Sequence, residues 1–323
     1  MKNYGLAAIG LIILALATMV FGAWTYEGQW GSLGTGNGQF HSVMDVAVSP
    51  VSGNVYAADG ENNRIQYFTA TGSYLGQWGS YGTGNGQFNQ PFGVTVSLNG
   101  EVFVADSSNC RVQHFSATGS YLGQWGSQGS ESGQFNAPSG LALNSNGNVF
   151  VVDSINNRVQ YFTYSGIYLG QWGSQGFGGG QFLGPWDIAF APDGTQYVSD
   201  CYNNRVQYFT GGSYIGQWGT PGTGNGQFNC PHGVAITTDS NVYVADSSNH
   251  RIQYFTDTGT YLGQWGTQGS GNGQFYLPYC LCLNNDGTRI YVADTFNNRI
   301  QYFNWVSSSI VPTSLGQIKV LYE

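Results

Sequence analysis

VADSSNHRIQYF, residues 244–255, sets an acid, an amide, an imidazole and a guanidinium within six positions. Read alone, Asp246, Asn249, His250 and Arg251 resemble a catalytic or metal-binding cluster. The rest of the chain decides otherwise. Five further stretches share the frame: AADGENNRIQYF (57–68), VADSSNCRVQHF (104–115), VVDSINNRVQYF (151–162), VSDCYNNRVQYF (198–209) and VADTFNNRIQYF (292–303). Their aspartates follow one another at intervals of 47, 47, 47, 46 and 48 residues. A fixed period of this length marks a solenoid, a propeller or an array.

The remainder of each unit repeats as well. A β-branched run such as GVTVS leads to a turn, then to a run such as VFVAD, the DxxNxR link, an RVQHF-like run, a short glycine turn, and YLGQWG. Four short runs bounded by turns give four strands per unit. Helical periodicity is absent after Trp24. The chain is therefore expected to be all-β, a six-bladed propeller of four-stranded blades, with Thr25–Glu323 as one domain. GQW occurs at 28–30, 76–78, 123–125, 170–172, 216–218 and 263–265. The first copy precedes the first blade and is free to complete the sixth. A degenerate copy at 315–320, LGQIKV, competes for that place or pairs outside it.

Six copies also change the reading of the polar cluster. Each aspartate ends a second strand and each arginine starts a third, close enough for a charge-assisted hydrogen bond. The pairs are Asp59–Arg64, Asp106–Arg111, Asp153–Arg158, Asp200–Arg205, Asp246–Arg251 and Asp294–Arg299. A staple is needed in every blade and a catalytic set is not. His250 stands where the other copies have Asn63, Cys110, Asn157, Asn204 and Asn298, as a variant of the turn.

The pattern DSxNxRIQxF, preceded by a PxGVAV-like run, resembles the NHL repeat over about residues 25–316. Blade 1 departs from it, with SVMD (42–45) at the PxG position. The resemblance implies a propeller that binds RNA or protein, senses an extracellular ligand, or acts as a zinc-dependent peptidyl-hydroxyglycine lyase. The lyase needs several channel histidines, which this sequence does not supply. The 323 residues carry a net charge of −8 and nine basic residues, six of them the staple arginines. Only Lys2, Arg289 and Lys319 remain for a basic patch, which excludes a nucleic-acid groove.

The first 24 residues hold Lys2 and then no charge until Glu27. They read as an apolar helix, either a signal peptide or an uncleaved membrane anchor. Either reading puts the propeller outside the cytoplasm, secreted or anchored by this segment alone. None of the five cysteines forms a CxxC pair. Cys280 and Cys282 lie two apart on one strand and are poorly placed to bond each other. Cys201 and Cys230 face each other from adjacent blades and are a candidate disulfide.

The copies differ most at the channel mouth. The position after the proline holds Met44, Phe92, Ser139, Trp186, His232 and Tyr279, and the next holds Asp45, Gly93, Gly140, Asp187, Gly233 and Cys280. Repetition alone gives no reason for this variety. Met44, Phe92, Ser139, Trp186, His232, Tyr279, Asp45 and Asp187 are therefore the candidate ligand site, and its aromatics suit a glycan, peptide or protein ligand. The plainer alternative is that they plug the channel. Asp187, His232 and Asp45, with His41 nearby, are a weak candidate for a metal ion; no other cofactor is implied. No Ser-His-Asp set or nucleophile elbow is visible, and no catalytic residue is assigned. The sequence thus favours a binding or scaffold module working through this face. Alternatives are a metal-assisted lyase or hydrolase at the mouth, or a structural cell-surface protein.

Overall fold

The computed structural model describes the backbone of residues 20–313 and 317–322, and side chains from 22 to 307. Residues Tyr26–Asn304 form one compact unit. Five four-stranded antiparallel blades follow one another in it, for example Pro138–Leu143, Val149–Asp153, Arg158–Phe162 and Tyr168–Trp172 from channel to rim. The sixth sheet takes its outermost strand from the start of the chain. Val20–Trp30 pairs with Arg299–Thr313, beside Arg289–Asp294 and Pro278–Leu283. The GQW copy at 28–30 therefore closes the ring. Gln317–Tyr322 instead pairs with the distal part of the strand Arg299–Thr313, through Ser308–Thr313. The described residues from 20 to 25 and from 305 onward belong to a second unit. There Trp24 meets Trp305 edge-to-face at 5.4 Å.

The expected N-terminal helix lies largely outside the described residues. Its last part is described and is strand: Val20–Trp24 belongs to Val20–Trp30. An outermost strand needs a partner edge, and the sixth blade supplies one that a helix could not use. Among the described residues the only helical turns are short 3-10 turns in four of the DxxNxR links. No helix there is long and apolar enough to cross a membrane.

Each repeat motif has a packing role. Outer-strand tryptophans reach into the next blade: Trp78 packs on Phe115 (5.6 Å) and lies over Gly119, where a Cβ would stand 2.6 Å from the indole. Gly119 also has φ +89, so the turn and the tryptophan seat both require glycine. Trp30 repeats this contact on blade 1, packing on Phe68 at 5.6 Å and on Tyr291 at 6.0 Å. The phenylalanine of every GQF loop is fully buried between blades.

Candidate functional site

The DxxNxR links and the glycine loops share one face. Backbone bonds tie them together, such as Ile155 N to Asn136 O and Tyr202 N to Leu183 O. We call this the top face. Its frame is the six-fold staple. The arginine Nε donates to the aspartate Oδ2 at 2.6–2.8 Å in every blade, and each aspartate is wholly buried. In blade 3, Arg158 Nη1 donates to Ser130 O and Gln171 Oε1, and Nη2 to Glu131 O and Gln134 O. All five guanidinium N–H groups are used. Gln160 Nε2 donates to the same Asp153 and to Gln134 O, while Asn156 Nδ2 donates to Asp153 and Gly129 O. The glycine loop is therefore folded around a buried arginine, and the Gln of GQW is that arginine's acceptor. In blade 6 the acceptor is Gln29, bound by Arg299 Nη1 at 2.7 Å. Burial pushes the carboxyls of Asp59, Asp200 and Asp246 up, opposed by backbone, amide and arginine hydrogen bonds.

The residue before each arginine is left-handed, with φ 54–56. Asparagine tolerates this conformation well. Its Oδ1 also accepts from the next blade, as Asn157 does from Gly184 N and Asn204 from Cys230 N. His250 is the same device: its Nδ1 accepts from Leu277 N at 3.0 Å. A second tie joins neighbouring blades. Ser107, Ser154 and Ser247 donate to the carbonyls of Pro138, Pro185 and Pro278, and Thr295 to that of Val43. In blade 4 this position is Cys201, and a disulfide to Cys230 replaces the hydrogen bond.

The mouth residues sit on a break in register between the first and second strands, as between Pro185 and Ile188. Such a bulge re-aims side chains away from the sheet. Five of the expected mouth residues are brought together or next to one another. Phe92 meets Trp186 edge-to-face at 5.0 Å and Tyr279 at 6.3 Å; Trp186 stacks on His232 at 4.1 Å; His232 meets Tyr279 at 4.5 Å. These rings cap the channel by packing on each other. Ser139 bonds Ser154 Oγ and Trp186 O. Met44 lines a cavity of about 560 Å3, together with Phe92 and Trp186 of the rings.

That cavity runs across blades 1 to 4. Met44, Phe92, Leu183, Trp186 and Ile155 give it apolar walls, and Gln90, Ser107, Ser108, Asn157 and Glu61 a polar margin. Tyr202 and Ile155 at its edge are strongly exposed, at 63% and 60%. Ala137 and Gly184 also line it, small residues where three other blades carry Gln90, Cys230 or Leu277, and the Tyr202 ring lies against Gly184, 2.6 Å from where a Cβ would stand.

Asp45 and Asp187 lie below, in a channel cavity of about 330 Å3. Each replaces the repeat glycine and bridges blades. Asp187 accepts from Ile188 N and from Val234 N of blade 5, and Asp45 from Val46 N and from Val94 N of blade 2. Burial pushes Asp45 up to about 6. Burial, then the charge of Asp45, pushes Asp187 up to about 8. Their oxygens are engaged by the backbone, and neither carboxylate groups with His232 as a ligand set. Among the described residues the set of three metal-ligating side chains whose atoms lie within 4.8 Å is Cys201, Cys230 and His232. Burial lowers His232 to about 3.

The blade count and four-stranded sheets define a six-bladed β-propeller. The NHL repeat family profile matches residues 88–115, 135–162, 182–209 and 228–255, so the chain is an NHL-repeat propeller. No curated protein matches it by sequence. Its fold is similar to a streptogramin B lyase structure, with TM-score 0.61 and 13% identity over 88% of this chain and 98% of the other. It is similar to a gluconolactonase from Xanthomonas campestris, with TM-score 0.63 and 12% identity over 83% and 88% of the two chains. A protein of unknown function from Bacteroides thetaiotaomicron gives TM-score 0.65 and 16% identity over 89% and 76%. At these identities the likeness is one of fold.

Proposed function

We propose that the protein is a binding module whose top-face cavity takes an extended peptide or protein segment through an apolar or aromatic side chain. The observation that carries this is the cavity itself. Its volume of about 560 Å3 falls within the size range of ligand pockets, with apolar walls and a few polar groups at the margin. It breaks the six-fold symmetry, which folding alone does not ask for. Its lining carries one charged side chain, Glu61, which favours an apolar segment over a glycan needing many fixed polar partners. The Cys201–Cys230 disulfide supports a place outside the cytoplasm. An N-terminal signal or anchor fits the same reading.

Capture from a displayed peptide library by the purified chain, run beside a glycan array, tests this. Peptides with an aromatic or large aliphatic residue are expected to be retained. Trp186→Ser, which installs the blade 3 residue, should weaken them by about 2 kcal/mol, roughly 30-fold. Glycans retained in place of peptides overturn the ligand class. Peptide binding indifferent to Trp186→Ser overturns the site.

A further inference from the structure

The seam between blades 4 and 5 differs from every other seam. In blades 2, 3, 5 and 6 a hydroxyl reaches the carbonyl of the next blade, and in blade 1 the position is Gly60; here Cys201 meets Cys230. Two residues on from Cys230, past Pro231, stands His232, and its Nε2 lies 3.2 Å from Cys230 Sγ. The three potential ligand atoms lie within 4.8 Å of one another. Cys201 is fully buried and His232 is 6% exposed. The histidine ring is fixed between Trp186 and Tyr279, and the Cys230 backbone by Asn204 Oδ1. The clamped ring holds Nε2 against the sulfur of Cys230, and an imidazole nitrogen is a common metal ligand.

The geometry points to a redox-gated zinc site: once the disulfide is reduced, Cys201 Sγ, Cys230 Sγ and His232 Nε2 bind one Zn2+ ion. Three protein ligands of this kind, with a fourth position left open, suit zinc. Two thiolates, a neutral imidazole and a divalent ion sum to zero charge, which lowers the cost of burying them. The gate is an ordinary exchange. Two external thiols, or one dithiol, reduce the Cys201–Cys230 bond and leave as a disulfide. The two new thiols each lose a proton as the ion binds. In an oxidising compartment the sulfurs stay bonded to each other and the site is closed. This site is separate from the cavity of blades 1 to 4, except that Trp186 touches both.

The other blades supply the test variants. Cys110→Asn, Cys280→Gly and Cys282→Ala place the residues of sister blades at the three remaining thiols. In that background the full chain is reduced with a phosphine and titrated without oxygen, with Cd2+ read by thiolate charge-transfer absorption and Zn2+ by a chromophoric chelator. One ion per chain is expected for the reduced protein and none for the oxidised protein. Cys201→Ser, Cys230→Ala and His232→Phe, again residues of sister blades, should each abolish the one-to-one binding while near-ultraviolet circular dichroism stays native. Three results overturn the proposal: a natively folded reduced protein that takes up no ion, binding that survives His232→Phe, or a seam that unfolds on reduction.

Discussion

Replacing Arg158 by alanine isolates the staple in a blade remote from the ring closure. Its guanidinium fills a buried space with five hydrogen bonds of 2.7–2.9 Å, to Asp153, Gln171 and three loop carbonyls. Asp153 has no exposure to water and would be left as an uncompensated charge. Breaking a buried pair in this way costs about 3–5 kcal/mol. The orphaned carbonyls at Ser130, Glu131 and Gln134 add less than their separate values, because their loop is partly exposed and water can reach it. A net loss of about 4 kcal/mol is expected, or roughly 8 °C in Tm at ~2 °C per kcal/mol for a chain of this size. Arg158→Lys should recover little of this, since an ammonium cannot replace a five-donor fork. Calorimetry measures the shift, and hydrogen exchange over residues 129–136 shows whether the glycine loop loosens with it. A variant melting within 2 °C of the parent, with loop protection unchanged, would falsify the view that arginine holds the loop.

Two further outcomes follow from the ring. Trp30→Ala removes the indole that packs the closing strand on Phe68 and Tyr291, and should cost about 3 kcal/mol. The same change at a site that merely decorated the rim would leave denaturant midpoints unmoved. Asp187→Gly restores the repeat residue and removes a carboxyl pushed up to about 8 by burial and then by the charge of Asp45. The native state then binds a proton that the unfolded chain has released, so the Asp187 contribution is present below about pH 4 and lost as pH rises through about 8. The stability of Asp187→Gly relative to the parent should therefore improve between pH 4 and pH 8. A difference that stays constant over that range would show that Asp187 is ionised throughout.

Periodicity carried most of the fold. The 46–48 residue interval and the four runs per unit were enough to place six blades; two GQ copies competed to close the ring, and the pairing of Val20–Trp30 with Arg299–Thr313 decides for the one at 28–30. The role of that glutamine was not visible, because an acceptor 270 residues from its arginine has no local signature. His250 looked like a tolerated variant; the structure gives it the asparagine's bond to the next blade, through Nδ1. The residues at 20–24 looked helical because an apolar run has the same composition in either state, and only the unpaired edge of blade 6 distinguishes them. At the mouth, the sequence singled out a ring of positions, but not how they divide. The large rings pack together, while Ala137 and Gly184, one position before the proline, line the cavity beside them. Small residues at that position were the available signal. The Cys201–Cys230 bond was legible once the two residues were placed on adjacent blades; the approach of His232 to that bond depended on the conformation past Pro231, which the sequence does not reveal.

A crystal structure of the chain with a library-selected peptide shows whether the cavity of blades 1 to 4 is where the peptide binds. An apolar side chain of the peptide is expected against Phe92, Trp186 and Tyr202, with backbone polar groups meeting Gln90, Ser108 or Asn157. A peptide found on the opposite face, or laid along the blade rims with the cavity left empty, would contradict it.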